Sequence, residues 1–83
     1  MRFLVTGGMG FIGQSVMRNL LARSIPVIVA DQSADPEAVA AFGNLAGSSG
    51  ASFDFAPMDV GDFRDVMNVF HKHPDITHAI HLA

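Results

Sequence analysis

The sequence predicts an α/β fold: a parallel sheet with helices packed on both of its faces. Short apolar segments alternate along the chain with longer segments whose apolar residues recur at helical spacing. This is the pattern of parallel strands joined by helical crossovers. In addition, the segment PVIVAD at 26–31 is β-branched and apolar at successive positions, as expected of a strand that is buried on both faces.

The composition argues against several classes of protein. A chain of 83 residues forms one domain at most, and it is expected to bury roughly 60–65% of its unfolded surface. No apolar stretch is long enough to span a membrane, and glycines interrupt the N-terminal MRFLV before a signal peptide is complete. The absence of cysteine favours an intracellular, cytoplasmic protein. A net charge of −3 with scattered basic residues provides no surface for nucleic acid.

The first strand and the first helix lie on either side of a glycine-rich segment. Residues 1–6 contain the apolar run FLV and predict the first strand. From about Gly10 to Arg23, apolar residues recur at helical spacing, which predicts the first helix. Its apolar face is formed by Ile12, Val16 and Leu20, with Met17 and Leu21 beside them. The second strand, PVIVAD, follows.

The second helix has a specific start signal. Asp35 at the N-cap is followed by Pro36 at the first helical position, where the fixed φ of proline suits a helix. We expect this helix to end near Gly47, and we expect GSSG at 47–50 to be a loop. The apolar stripe of this helix consists of Ala38, Val39, Phe42 and Leu45.

The rest of the chain predicts one more helix between two strands. SFDFAP at 52–57 is the third strand and THAIHLA at 77–83 is the fourth. Asp62 is suited to cap a third helix that ends before Pro74. The apolar residues of that helix are Phe63, Val66, Met67 and Phe70.

Right-handed crossovers determine how these elements are arranged. They put the first two helices on one face of the sheet and the third helix on the other. The expected strand order is 3-2-1-4. The fourth strand then has an open, apolar edge. We predict a homo-oligomer in which this open edge pairs with its copy across a two-fold axis.

The segment TGGMGFIG at 6–13 carries the main functional signal. A glycine-rich turn between a first strand and a first helix lets backbone N–H groups reach a pyrophosphate, and the helix N-terminus adds partial positive charge. In this pattern Gly7 makes the tight turn, Gly10 allows the diphosphate to approach, and Gly13 lets the helix pack against the strand. The alternative is that these glycines serve only the strand-to-helix turn.

Asp31 closes the second strand, 21 positions after Gly10, which is the spacing of the acidic residue in dinucleotide-binding folds. A carboxylate there accepts the hydroxyl protons of an adenosine ribose and repels a 2′-phosphate. No lysine or arginine lies between Arg23 and Arg64 to offset that repulsion. The sequence therefore predicts NAD, rather than NADP, as the cofactor. The alternative role for Asp31 is that of a plain turn residue.

At this point the chain resembles the extended short-chain dehydrogenase/reductase family. This group of NAD-dependent sugar-nucleotide epimerases and dehydratases includes UDP-glucose 4-epimerase. The resemblance rests on TGGMGFIG, VADQ, MDVGD and THAIHLA, and it runs over the whole chain. It implies a partial Rossmann-type sheet with helices on both faces. Residues 1–83 would form the N-terminal half of an NAD-binding domain, with the substrate domain absent.

The resemblance also implies which residues hold the adenine dinucleotide. For Asp59, the carboxylate would accept a hydrogen bond from the adenine amine while the next N–H donates to a ring nitrogen. The alternative is a strand-end carboxylate that forms a turn with Gly61. The resemblance assigns Gly7, Gly10, Phe11 and Ile12 to the diphosphate, Asp31 and Gln32 to the ribose, Asp59 and Val60 to the adenine, and Leu82 and Ala83 to the floor beneath the dinucleotide.

The chemistry that the resemblance implies has no matching residues here. Family members use a tyrosine and a lysine four residues later to move a proton while nicotinamide takes a hydride. This chain has no tyrosine, and Lys72 is its only lysine. We therefore expect no catalysis by these residues alone. The histidines do not predict a metal site, because His78 and His81 point to opposite faces of a strand.

Three hypotheses follow from the sequence. The first is a dinucleotide-binding portion of an NAD-dependent epimerase, dehydratase or reductase. The second is an NAD-sensing regulatory protein on the same fold. The third is a self-associating structural fragment that binds nothing tightly, which a ligand titration would distinguish from the other two.

Overall fold

The computed structural model describes residues 1–83 and contains four strands and three helices. All strand pairs are parallel, and the strand order is 3-2-1-4, which confirms the predicted Rossmann-type arrangement. None of the helices has the length and apolarity needed to cross a bilayer. The elements are β1 (Phe3–Thr6), α1 (Phe11–Ala22), β2 (Val27–Asp31), α2 (Pro36–Ser49), β3 (Phe53–Pro57), α3 (Phe63–Lys72) and β4 (His78–His81).

The two faces of the sheet carry separate cores, as the crossover rule predicts. Alternate residues of β1 point to opposite faces, so that Val5 and Leu4 belong to different cores. Helices α1 and α2 cover one face, with Phe42 of α2 fully buried there. Helix α3 covers the other face and contributes Val69 as its one buried residue. As predicted, β2 is buried on both faces.

The starts of α2 and α3 agree with the predicted caps. The Asp35 carboxylate accepts a hydrogen bond from the Glu37 N–H at 3.1 Å, and Pro36 is the first helical residue. In α3, the Asp62 carboxylate accepts from the Arg64 N–H at 2.9 Å. Both signals are local, and each determines where its helix begins.

The buried stripe of α1 agrees with the predicted one except at Ile12. Ile12 is 67% exposed, and the fully buried residues are Gly13, Met17 and Leu21. The helix is rotated toward Gly13 because that residue packs directly against the glycine turn, where a Cβ atom would lie 2.1 Å from the Gly7 carbonyl oxygen. Met17 and Leu21, predicted beside the stripe, are fully buried, and Val16 and Leu20 pack against the same core, so the prediction was wrong only at Ile12.

The predicted end of α2 near Gly47 was wrong. The helix continues to Ser49 and ends at Gly50, which has a left-handed conformation with φ of 77°. The Ser49 hydroxyl donates to the Leu21 carbonyl oxygen at 2.6 Å, and the Ser24 hydroxyl donates to the Ser49 carbonyl oxygen at 2.6 Å. Contacts with the end of α1 thus order a GSSG segment that we expected to be a loop.

Helix α3 buries less of its apolar surface than predicted. Phe63 is 75% exposed, Met67 and Phe70 are also exposed, and Val66 is half-buried against the core on that face. Helix α3 packs mainly through Val69, which was not among the predicted apolar residues of this helix. Of the apolar residues that α3 exposes, Phe70 lines an apolar hollow beside β4.

Candidate functional site

The glycine turn joins the carboxyl end of β1 to the amino end of α1. Gly7 has φ of 76°, and a Cβ there would lie 2.8 Å from the Ala83 nitrogen. At Gly8 a Cβ would lie 2.0 Å from Val29 Cγ2, and at Gly13 it would lie 2.1 Å from the Gly7 carbonyl oxygen. The protein's own packing therefore requires glycine at these three positions.

Gly10 is in a different situation. Its backbone has an ordinary extended conformation, with φ of −74° and ψ of 173°. A Cβ there would come no closer than 3.5 Å to any other atom, the nearest being the Gly7 carbonyl oxygen. Gly10 is the N-cap of α1, where serine or aspartate would add a capping hydrogen bond. The folded protein does not itself require glycine at this position.

Open space next to Gly10 forms a recess of about 290 Å³. It lies at the amino end of α1, whose first turn carries no acidic side chain that would neutralise the positive end of the helix dipole. The N–H groups of the first helical turn have no intrahelical acceptor and are available to an anion. The recess is lined by Gly7, Gly10, Phe11, Ile12, Gly13 and Leu82.

Asp31 ends β2 beside this turn. One carboxylate oxygen, Oδ2, accepts a hydrogen bond from the Met9 N–H at 3.1 Å, and the other, Oδ1, accepts from the Gln32 N–H at 2.8 Å. Each carboxylate oxygen has a further lone pair for a ligand hydroxyl. The Gln32 side chain is exposed, and its amide nitrogen lies 3.4 Å from Asp59 Oδ1. The fold thus brings the two predicted ribose residues next to the first predicted adenine residue.

Asp59 and Val60 lie in the connection between β3 and α3. Asp59 Oδ1 accepts from the Gly61 N–H at 2.9 Å, so the turn considered as an alternative from the sequence is present. The Asp59 N–H donates to Asp65 Oδ2 at 3.1 Å, a contact that was not predicted from the sequence. Asp59 Oδ2 remains free beside a cleft of about 460 Å³ lined by Gln32, Pro57, Met58, Asp59 and Asp65.

Leu82 and Ala83 follow β4 and pass directly beneath the glycine turn. The Leu82 N–H donates to the Thr6 carbonyl oxygen at 3.0 Å, and the Leu82–Ala83 peptide is in contact with Gly7. All the predicted site residues therefore lie along the carboxyl edge of the four strands. This is the edge at which open α/β sheets bind their ligands.

Two contacts near the site were missed from the sequence. The Gln14 side chain, in the first turn of α1, donates to the Met9 carbonyl oxygen at 3.0 Å. Beneath the turn, His81 Nδ1 lies 2.6 Å from the Thr6 hydroxyl oxygen. The only signal for the Gln14 contact in the sequence was a polar residue in an otherwise apolar start of a helix. The contact between Thr6 and His81 depends on the pairing of β1 with β4.

The histidines of β4 lie on opposite faces, as expected. His78 stacks on Phe3 with ring centroids 4.6 Å apart, on the face covered by α1 and α2. His81 contacts Thr6 on the face covered by α3. No three side chains of histidine, aspartate or glutamate come together in an arrangement that would hold a metal ion.

Comparison with known proteins agrees with the resemblance seen in the sequence. The sequence profile of the GDP-mannose 4,6 dehydratase family matches residues 4–83. The resemblance to NAD-dependent epimerases and dehydratases is thereby confirmed. No curated protein matches the chain by sequence.

Several solved structures share the fold over the whole chain. UDP-glucose 4-epimerase from Thermus thermophilus, in complex with NAD, is 35% identical over 100% of the chain, with a TM-score of 0.75. UDP-glucose 4-epimerase from Stenotrophomonas maltophila, with bound NAD and formylated UDP-arabinopyranose, is 27% identical over 100% of the chain, with a TM-score of 0.80. A short-chain type dehydrogenase/reductase from Mycobacterium ulcerans is 26% identical over 99% of the chain and has a TM-score of 0.81. The chain spans 24% of each epimerase and 32% of the reductase.

Proposed function

The chain belongs to the GDP-mannose 4,6 dehydratase family of short-chain dehydrogenases/reductases, and from this premise we propose that it binds NAD through the adenosine diphosphate half. Two similar epimerase structures contain NAD. The observation that carries the proposal is Gly10, a glycine that the protein's own packing does not require. Close approach of a ligand explains why no side chain occupies that position.

The recess beside Gly10 fits a diphosphate. It combines glycine backbone on its walls with the amino end of α1, whose free N–H groups and dipole favour an anion. Phe11 and Ile12 border it with exposed side chains, which shield the bound phosphates from one side. When bound, NAD supplies a nicotinamide ring that accepts or returns a hydride.

Asp31 supports NAD over NADP. Its carboxylate is already oriented by two backbone N–H groups and has lone pairs left for the ribose hydroxyls. A 2′-phosphate in the same place would meet the negative charge of Asp31, and no lysine or arginine lies between Arg23 and Arg64 to offset that charge. Gln32 and Asp59 border the adjoining cleft in which we place the adenine, and Val60 is the next residue in the chain.

We propose that these 83 residues hold the dinucleotide and carry out no hydride or proton transfer. They contain no tyrosine to fill the role that tyrosine has in the family. Lys72 ends α3, just before the chain enters β4, and therefore lies at the amino edge of the sheet. That edge is opposite the recess and Asp31.

The proposal is tested by thermal unfolding of the chain with separate parts of NAD. NAD, ADP-ribose and AMP are each expected to raise the Tm at millimolar concentration, because a ligand that binds only the folded state stabilises it by mass action. Nicotinamide mononucleotide, which lacks the adenosine half, is expected to have little effect. Absence of a Tm shift with all three adenine ligands contradicts the proposal and favours the third hypothesis, a self-associating fragment.

We also propose that the chain self-associates through β4. The two edge strands of the sheet differ. Strand β3 ends in Pro57 and carries Asp54, which pairs with Arg2, and both features discourage pairing with another strand. Strand β4 contains neither proline nor a charged carboxylate. The β4 edge adjoins an apolar hollow of about 260 Å³ lined mainly by residues of β1, β4 and α3. Antiparallel pairing with a second copy would satisfy the open backbone groups and cover this hollow.

Ala79→Pro tests this association without disturbing the pairing of β4 with β1. The N–H groups of His78 and Leu82 bond inward to β1, so by strand alternation the Ala79 N–H faces the open edge. Light scattering after size exclusion should show dimers for the wild type and monomers for Ala79→Pro. A wild type that stays monomeric at high micromolar concentration contradicts the proposal.

A further inference from the structure

The tip of the glycine turn is held by side chains that lie outside the recess. The Met9 N–H donates to Asp31 Oδ2 at 3.1 Å, and the Met9 carbonyl oxygen accepts from the Gln14 amide at 3.0 Å. The next N–H, that of Gly10, donates to the Gly7 carbonyl oxygen at 3.2 Å. Both peptide groups that include Met9 atoms are therefore fixed in orientation.

This orientation turns a carbonyl oxygen away from the recess. Neither Met9 nor Gln14 lines the recess, so the Met9 carbonyl that bonds to Gln14 points out of it. A turn rich in glycine has unusual backbone freedom, and rotation of the Met9–Gly10 peptide is sterically cheap there. Such a rotation would exchange the directions of the Gly10 N–H and the Met9 carbonyl oxygen. It would break the hydrogen bond from Gly10 to the Gly7 carbonyl oxygen and turn a second carbonyl oxygen toward Gly7, which lines the recess.

We propose that Gln14 is a positioning residue for the dinucleotide: it keeps the Met9 carbonyl oxygen away from the diphosphate recess. This inference rests on the proposed NAD binding of the same site. Gln14 acts through the backbone of the turn and does not touch the recess.

The chemistry of the glutamine amide suits this role. Its N–H₂ group donates to a carbonyl oxygen, which a carboxylate cannot do at neutral pH. Glutamate at the same place would also neutralise the partial positive charge at the amino end of α1 and repel the expected anion. Gln14 is half-buried, so its side chain is held close to the turn rather than extended into solvent.

The test compares Gln14→Met with Asn19→Met in the full chain. Both variants replace an amide by a thioether on α1, but the Asn19 side chain is exposed and makes no hydrogen bond. One measurement is hydrogen exchange of the Gly10 amide without ligand, which follows the order of the Met9–Gly10 peptide. The other is the affinity for ADP and for adenosine, measured by NMR titration.

For Gln14→Met we expect the Gly10 amide to exchange about threefold to tenfold faster, and ADP to bind weaker by a similar factor, the range of one neutral hydrogen bond. Adenosine affinity should not change, because adenosine has no phosphate to meet the turn. Asn19→Met should match the wild type throughout.

The outcomes separate this inference from the proposed function. Equal ADP affinity of the wild type and Gln14→Met overturns the role of Gln14 and leaves NAD binding intact. Equal weakening of ADP and adenosine also overturns it, since that indicates general loss of structure. A wild type that binds no ADP overturns the proposed function itself. Exchange at Gly10 then still shows whether Gln14 orders the turn.

Discussion

Gly7, Gly8 and Gly13 lie on the side of the glycine turn that faces the protein, and there is no room for a side chain at any of them. Gly10 lies on the side that faces the recess and adjoins open space. The inner glycines are explained by folding: a left-handed turn, contact with a strand and contact with the turn itself. The outer glycine is explained by none of these. One motif therefore combines three glycines that the fold requires with one that it does not, and the proposed NAD binding would account for the fourth.

The largest expected effect is on the inner side. Gly13→Ala places a methyl group 2.1 Å from a backbone oxygen that cannot move without distorting the turn. We expect a loss of about 3 kcal/mol in the free energy of unfolding, the upper end for an overpacked site, measured by urea denaturation. Gly43→Ala is the matched control, because a Cβ there meets nothing within 4 Å. In a helix interior it should stabilise by about 0.5–1 kcal/mol. Similar stabilities for the two variants would show that the packing of the folded protein does not require glycine at position 13.

The next effect belongs to the outer side. Gly10→Val should fold and yet lose its response to NAD, because the added side chain enters the recess rather than the protein. Thermal unfolding with and without NAD measures both quantities. Gly10→Ser sharpens the test, since serine is a good N-cap and should hold or raise the Tm while still weakening NAD binding. NAD affinity that survives in both variants would mean that the ligand does not approach Gly10.

A smaller effect is expected at the acidic residue beside the turn. Asp31→Ala should weaken NAD binding by about tenfold, corresponding to lost hydrogen bonds to a charged group, and should reduce the preference for NAD over NADP. The readout is the ratio of the two affinities by calorimetry. Asp35→Ala removes the same charge from the N-cap of α2 and should lower stability without changing that ratio. Unchanged NAD binding by Asp31→Ala would remove the cofactor assignment.

The smallest effect should be seen at Phe11, whose side chain is 95% exposed at the border of the recess. Phe11→Ala should change the free energy of unfolding by no more than about 0.5 kcal/mol. A clearly larger loss in urea denaturation would show that this residue packs in the folded chain, and that the outer side of the turn is not free of structural constraint.

Local signals predicted much of the architecture. Asp35 with Pro36 marked the start of α2, and the apolar run of β2 marked a strand buried on both faces. The exposure of Ile12 was missed because it depends on how closely Gly13 approaches the turn. The end of α2 was missed because Ser49 is held by the end of α1, which is remote in sequence.

The candidate site shows the same division. Spacing alone identified Gly7, Gly10, Gly13 and Asp31 as a group, since the motif and its acidic partner are read along one strand–helix–strand unit. The two possibilities for Asp59 could not be separated from the sequence. The fold shows that one of its oxygens forms the turn with Gly61 and that the other remains free.

The order of the elements, the parallel sheet and the place of the glycine turn could all be predicted from the sequence, because periodicity, caps and glycine spacing act over a few neighbouring residues. Which of the glycines has room for a side chain depends on the tertiary structure. The atoms that exclude a side chain at the other positions include those of Val29 in β2 and of Ala83 after β4, which folding brings to the turn.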